Sequence, residues 1–229
     1  MTINPNSFYN IAYKIINALY SADLPIVFKG MTVTRLILKQ NNINTCRETR
    51  DIDGDWTGNK LSLLELENII NEALKQLGDV NVKAYRNYNE RTSAGFDIYK
   101  NNIKISTFDL SIRKNDFSQL YEIDGIKFKG QTLDKIVTDK IVAISTHKIF
   151  RRPKDLFDLY YLTQTTTINK DNTYSIIEQS DYQLGQFIEL IERKDEVCHA
   201  YETMTWIENK PSFQEVYDCC LHIAKLFIG

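Results

Sequence analysis

The chain has 229 residues, 43% hydrophobic and 25% charged, with a formal net charge of −2. That balance suits one large domain or two small ones with a sizeable core, and it excludes whole-chain electrostatics as a means of holding nucleic acid. No window approaches the ~18 uninterrupted apolar residues of a membrane span, and the opening MTINPNSFYN has neither region of a secretory signal, so the expectation is a cytoplasmic protein with no membrane partner.

In chain order, residues 7–22 set Phe8, Ile11, Ala12, Ile15, Ile16 and Leu19 on one helical stripe, with Ser7 as the N-cap. LPIVFKG (24–30) is a short β-branched run ending at a glycine, and MTVTRLILKQ after it can turn Met31, Leu36 and Ile37 inward. The pair predicts strand, tight turn and helix. ETRDIDGDW reads as extended, and 61–78 as an amphipathic helix stopped by Gly78. VNVKAYRNY, AGFDIYK and IKISTFDLSIR read as strands, the last two joined by a tight turn at Asn101-Asn102, and YEIDGIKFKG as a hairpin turning at Asp124-Gly125. From Thr132 onward the pattern is helical: 133–150, 153–163 with Pro153 in the first turn, then segments near 180–193 and 212–227. The expected fold is α+β, a mixed sheet with flanking helices over 1–130 followed by a helical half over 131–229.

The acidic run RDIDGDW carries the chemistry. Residues two apart on a strand face one side, so Asp51 and Asp53 project together while Ile52 points to the core. Two adjacent like charges repel unless a cation sits between them, and Mg²⁺ takes carboxylate oxygens while sharing its shell with substrate phosphates. Asp109, flanked by Phe108 and Leu110 in a strand-like stretch, supplies a third carboxylate, enough for a two-metal site of the kind used in phosphoryl or nucleotidyl transfer. Asp55 is read as lying past the site, in a turn begun by Gly54. At the earlier turn, Gly30 permits close backbone approach, and the amides of Met31 and Thr32 open a helix whose N-terminus favours an anion. Cys46, Cys198, Cys219 and Cys220 fall at no metal-ligand spacing and are read as reduced, mostly buried thiols. His147, His199 and His222 show no metal-site spacing either.

FKGMTVTRLIL, RETRDIDGDW, FDLSI, DKIVAI and RRPKDLFDLYYL, in that order from about Ile26 to Leu162, resemble the AbiEii-type nucleotidyltransferases. These are a branch of the DNA polymerase β-like nucleotidyltransferase superfamily, known mainly as toxins of bacterial toxin–antitoxin and phage-defence systems. The resemblance implies a nucleotidyltransferase-like domain over 1–130. It further implies that Gly30 and Thr32 belong to a phosphate-binding turn, and that Asp51, Asp53 and Asp109 are the metal ligands. Arg47 and Thr49 match an Arg-x-Ser/Thr spacing before the acidic pair, where the resemblance implies that they either contact the nucleotide's phosphate or hold the strand in place; Lys140 matches a helical lysine that contacts the triphosphate, and Asp155 with Asp158 the acidic motif of the C-terminal half. Lys29 and Arg35 are read either as secondary contacts or as exposed charges. Met31 stands where the family has a second small residue; its side chain either obstructs the triphosphate or points into the core and leaves only its amide at the site.

The function so implied is Mg²⁺-dependent transfer of NMP from an NTP to a tRNA or protein hydroxyl, with a cognate antitoxin as partner. Lys127, Lys129, Lys135, Lys140, Lys148, Arg151, Arg152 and Lys154 form a basic stretch suited to a phosphate backbone. The alternative is a catalytically inactive nucleotide-sensing or partner-binding module of the same fold, its triphosphate site closed by Met31.

Overall fold

A computed structural model describes residues 5–44, 47, 49, 51–89, 92–146 and 152–228. Its described residues fall into two compact units, Met1–Ile37 with Glu48–Thr132, and Leu38–Arg47 with Leu133–Gly229.

The first unit is built on a seven-stranded mixed sheet. Its strands are β1 (Ile26–Lys29), β2 (Asp51–Trp56), β3 (Val80–Asn89), β4 (Ser93–Lys100), β5 (Ile103–Ile112), β6 (Ser118–Ile123) and β7 (Ile126–Gln131). They lie in the order β3-β4-β5-β2-β1-β7-β6. The two tight turns form as expected, with Asn101 and Asn102 at φ 49° and 62° and Asp124 and Gly125 at 52° and 76°. Both pairs have the positive φ values that match the twist of a two-residue hairpin. β2 runs antiparallel to β1 and parallel to β5, and β1 runs parallel to β7.

Alternation along the central strands buries one row of side chains. Phe28 stacks against Phe108 with ring centroids 6.3 Å apart and meets Phe128 edge-on at 6.5 Å, while Phe96 lies 6.3 Å from Phe108. The helices of this unit begin with α1 (Pro5–Ser21), which buries Ala12, Ile15, Ile16 and Leu19. Ser7 is thus inside the first turn, not its cap. After β1 comes α2 (Gly30–Gln40), and then α3 (Leu63–Leu74), opened by a capping box of Ser62 and Glu65 and continued by a 3-10 turn, Lys75–Leu77, that ends at Gly78. α3 also covers the edge strand β3. The Asn71 side chain bonds both backbone groups of Val82, at 2.7 and 3.0 Å, and Glu67 Oε2 accepts the Ala84 amide at 2.6 Å. An edge strand so covered has fewer free backbone groups to offer another chain.

In the second unit the described helices are α4 (Leu133–Ser145), α5 (Pro153–Leu162), α6 (Lys170–Gln179), α7 (Ile188–Glu192), α8 (Lys194–Glu202) and α9 (Phe213–Ile228). The helix expected over 133–150 therefore ends at Ser145, and residues 147–150 lie outside the described residues. The segment expected near 180–193 is a correction: 182–187 is not helical, only α7 forms there, and α6 and α8 flank it. Asn169 side-chain capping and weak apolar patterning made α6 hard to see in the sequence. Cys220 is buried and Cys198 and Cys219 are partly so, all three as free thiols, while Cys46 lies outside the described residues. No described helix is long and apolar enough to cross a membrane.

Phe28 is fully enclosed by the aromatic row, so Phe28→Ala should destabilise the protein by about 3–5 kcal/mol. Urea unfolding followed by fluorescence checks this.

Candidate active site

Strand alternation puts Asp51, Asp53 and Asp55 on one face of β2 and Ile52, Gly54 and Trp56 on the other. Pairing then extends the acidic face sideways. Asp53 is in register with Asp109 on β5 and with Lys29 on β1, and Asp109 is in register with Gly95 on β4. Lys29, Asp53 and Asp109 therefore lie at one level across three neighbouring strands, with Gly95 beside them on a fourth.

The turn into α2 closes on this row. Gly30 has φ +73°, and a Cβ there would lie 2.2 Å from Asp53 Oδ2, so any other residue would be both strained and in collision with the carboxylate. Thr32 is fully buried and its hydroxyl donates to the Asp51 carbonyl at 2.8 Å, fastening the first turn of α2 to the start of β2. Thr34 Oγ1 donates to the Gly30 carbonyl at 2.9 Å. The Met31 side chain is buried, 5% exposed. Of the two dispositions left open for it, this is the inward one. Thr49 donates its hydroxyl to Asp51 Oδ1 and its amide to the Tyr9 hydroxyl, the latter at 2.9 Å. Arg35 lies over the Tyr9 ring, 4.1 Å from its centroid.

Asp55 departs from expectation. It is not in a turn beyond the site but a fully buried member of β2, with Gly54 a strand residue before it. Its carboxylate accepts from Lys29 Nζ, from Arg113 Nε at 2.9 Å and from Asn115 Nδ2 at 2.7 Å, while Lys29 also donates to Ser111 Oγ at 3.0 Å. A buried carboxylate requires such partners. The alternation that paired Asp51 with Asp53 also contained Asp55; the Gly-Asp pair, a common turn former, hid it. Lys29 is thereby held by Asp55 at the flank of the acidic row.

Three aspartates offer the hard oxygen donors that suit Mg²⁺. Among the described residues, however, no three acidic, histidine or cysteine side chains converge as a ligand set. Asp51 is engaged by Thr49, the Asp53 carboxylate is packed at Gly30, and Asp109 Oδ1 accepts from the Tyr85 hydroxyl at 3.2 Å. In donor type and strand register these residues fit the ion.

The second unit holds a separate ionic cluster. Lys140 Nζ on α4 donates to Asp155 Oδ1 at 2.6 Å and to Asp158 Oδ2 at 2.8 Å on α5, and Arg47 Nη1 lies 3.4 Å from Asp158 Oδ1. Arg152 adds a longer pair to Asp155 at 3.6 Å. Burial works against the charge on Lys140, but the carboxylates of Asp158 and Asp155 outweigh it and hold the ammonium's pKa above its ordinary value. Burial likewise raises Asp155, and the charge and hydrogen bond of Lys140 outweigh that, leaving this carboxyl below its ordinary value. Arg47 and Lys140, expected at the nucleotide, are thus both engaged with α5 carboxylates. Asp158 finds Lys140 and Arg47 as partners.

The basic stretch is not one exposed face. Lys135 is buried and paired with Asp139, Lys140 is in the cluster above, and Lys127 pairs with Glu122 at 3.4 Å. His147, Lys148 and Arg151 lie outside the described residues.

A family model described as "Nucleotidyl transferase AbiEii toxin, Type IV TA system" matches residues 17–205. An antigenic nucleotidyltransferase-like protein from Paracoccidioides brasiliensis superposes with a TM-score of 0.51 at 12% identity, covering 86% of this chain and 93% of its own. MenT4, a nucleotidyltransferase toxin of Mycobacterium tuberculosis H37Rv, superposes with a TM-score of 0.50 at 10% identity, covering 98% of this chain and 93% of its own. At such identities these likenesses establish a shared nucleotidyltransferase fold. No curated protein matches the sequence.

Removing the Asp55 carboxylate should leave Lys29 without its buried counter-charge, so Asp55→Ala should cost about 3–5 kcal/mol in urea unfolding. The α5 cluster sets a pH dependence. A carboxyl held low stabilises the fold above its unfolded pKa, near 3.8 for Asp155, and that contribution disappears as pH falls through the lower folded value. Lys140, held high, contributes fully below its unfolded value of 10.5 and loses its contribution only as pH rises through the folded one. Lys140→Met leaves burial to raise Asp155, so its contribution reverses sign: the variant should lose stability near neutral pH and regain part of it as pH falls through the raised carboxyl value, as read by unfolding midpoints across a pH series.

Proposed function

We propose, since the chain belongs to the AbiEii family of nucleotidyl transferase toxins, that it transfers a nucleoside monophosphate from an NTP to a hydroxyl of tRNA or protein. The observation that carries this reading is the level row formed by Asp53 and Asp109 on parallel strands, with the N-terminal turn of α2 closed on Asp53.

In this reading Asp51, Asp53 and Asp109 hold Mg²⁺. When bound, the metal would screen the triphosphate and stabilise charge developing on the pyrophosphate leaving group. The amides of Met31 and Thr32 face the phosphates at the positive end of α2, where orphan N–H groups and the helix dipole favour an anion. The acceptor oxygen attacks the α-phosphorus, the bond from that phosphorus to the β-phosphate bridge breaks, and the acceptor's proton passes to a carboxylate of the row. Thr49 and Tyr9 fix Asp51, and Lys29 lends positive charge at the flank. Lys140 and Asp155 act as positioning residues, because their charges pair with each other, and Arg47 joins them through Asp158.

Burial of Met31 supports the enzyme over the inactive module, since closing the triphosphate site would need that side chain outside the core. The family's toxic role supports a cognate antitoxin as partner and the cytoplasm, where NTPs and RNA are found, as the place of action. The test is transfer from each α-labelled NTP in turn to total tRNA and to cell protein with Mg²⁺. Label on one acceptor class is expected, reduced at least about 100-fold in Asp51→Ala and Asp53→Ala. No label on either class from a folded protein would contradict the proposal.

A further inference from the structure

Tyr85 is an exposed aromatic residue, 41% accessible, on the edge strand β3. Its place in the ladder is irregular. Ala84 pairs with Phe96 and Arg86 with Gly95, so two steps on β3 oppose one on β4, and Tyr85 is the extra residue of a β-bulge. Bulges re-aim a side chain, and they gather beside active sites for that reason. Here the residue before the bulge is fixed from behind, because Glu67 of α3 accepts the Ala84 amide.

The re-aimed ring crosses β4 at Gly95. A Cβ on Gly95 would lie 3.1 Å from Tyr85 Cε1 and 3.1 Å from Asp109 Oδ1, so the missing side chain is the passage between ring and carboxylate. Through that passage the Tyr85 hydroxyl donates to Asp109 Oδ1 at 3.2 Å. Lys104 Nζ, paired with Asp97 at 2.6 Å, sits 5.4 Å from the ring centroid and helps to settle the ring's place. A bulge that aims, a glycine that admits and a hydroxyl that bonds all converge on one acidic side chain.

We infer that Tyr85 is a positioning residue for the metal site: its hydroxyl orients the Asp109 carboxylate so that the other oxygen faces Asp53 and a divalent cation. This rests on the reading of Asp51, Asp53 and Asp109 as metal ligands. The role it assigns to Tyr85 acts through Asp109. The orienting bond acts on the ligand's geometry, as outer-shell partners of metal sites do, where loss of one typically weakens metal affinity by about 10–100-fold.

The experiment is Mn²⁺ titration of the full chain, followed by the loss of free-ion electron paramagnetic resonance signal, for wild type, Asp53→Ala, Tyr85→Phe and Gly95→Ala. Urea midpoints are measured alongside. Tyr85→Phe keeps the ring and should leave the midpoint within experimental error while weakening Mn²⁺ about 10-fold or more. Gly95→Ala, which crowds the ring away from Asp109, should weaken Mn²⁺ likewise. In transfer assays Tyr85→Phe should raise the Mg²⁺ concentration needed for half-maximal rate and recover most of the wild-type rate at saturating metal. Wild type that binds Mn²⁺ through Asp53, together with a Tyr85→Phe variant of unchanged affinity, overturns the inference alone. Wild type with no Asp53-dependent Mn²⁺ binding overturns the reading of the carboxylates and the inference with it.

Discussion

The approach of the Gly30 turn to Asp53 is the constraint on which the site depends. A strand residue with a charged side chain, a glycine at positive φ and the first turn of a helix occupy one small volume, with no room for a Cβ. That contact fixes where the N-terminus of α2 points. It also explains why the neighbouring polar groups are tied down so fully: the Thr32 hydroxyl fastens α2 to β2, and Thr34 bonds back to Gly30 itself. The N-terminus of α2 and the Asp53 carboxylate are thereby held together, the pairing on which the proposed cation and phosphate site rests.

Around this contact the first unit separates packing from chemistry by strand periodicity. One face of the central strands carries the aromatic row of Phe28, Phe96, Phe108 and Phe128, which secures register. A slip of one residue would exchange the two faces, so the core that stabilises the sheet also keeps Asp53 level with Asp109. Asp55 belongs to the chemical face yet serves structure. Its ion pairs with Lys29 and Arg113 bind β1, β2 and the end of β5 together beside the acidic row.

Much of this was legible in the sequence because it follows from local rules. Period-two alternation put Asp51 and Asp53 on one face of a strand, Asp109 stood out between the apolar Phe108 and Leu110 of another, and the Asn-Asn and Asp-Gly pairs marked hairpins that form as expected. What escaped depends on neighbours distant in the chain. Asp55 has partners 26, 58 and 60 residues away, so the adjacent Gly54 dominated its reading. Tyr85 acquires its role from a bulge and from a glycine on another strand, neither of which one strand's pattern can reveal. Lys140 and Arg47 were seen as charges available to a nucleotide, whereas their carboxylate partners on α5 engage both. The α6 and α8 helices were missed because their faces are too polar to show a stripe.

The central claim is that the acidic row is a divalent-metal site for an NTP. Its most direct test is anomalous diffraction from crystals grown with Mn²⁺ and an NTP whose α–β bridge cannot be cleaved. The account predicts an anomalous peak within coordination distance of Asp51, Asp53 and Asp109, with the triphosphate at the N-terminus of α2. Nucleotide bound away from that turn, or Mn²⁺ bound away from those carboxylates, would contradict it.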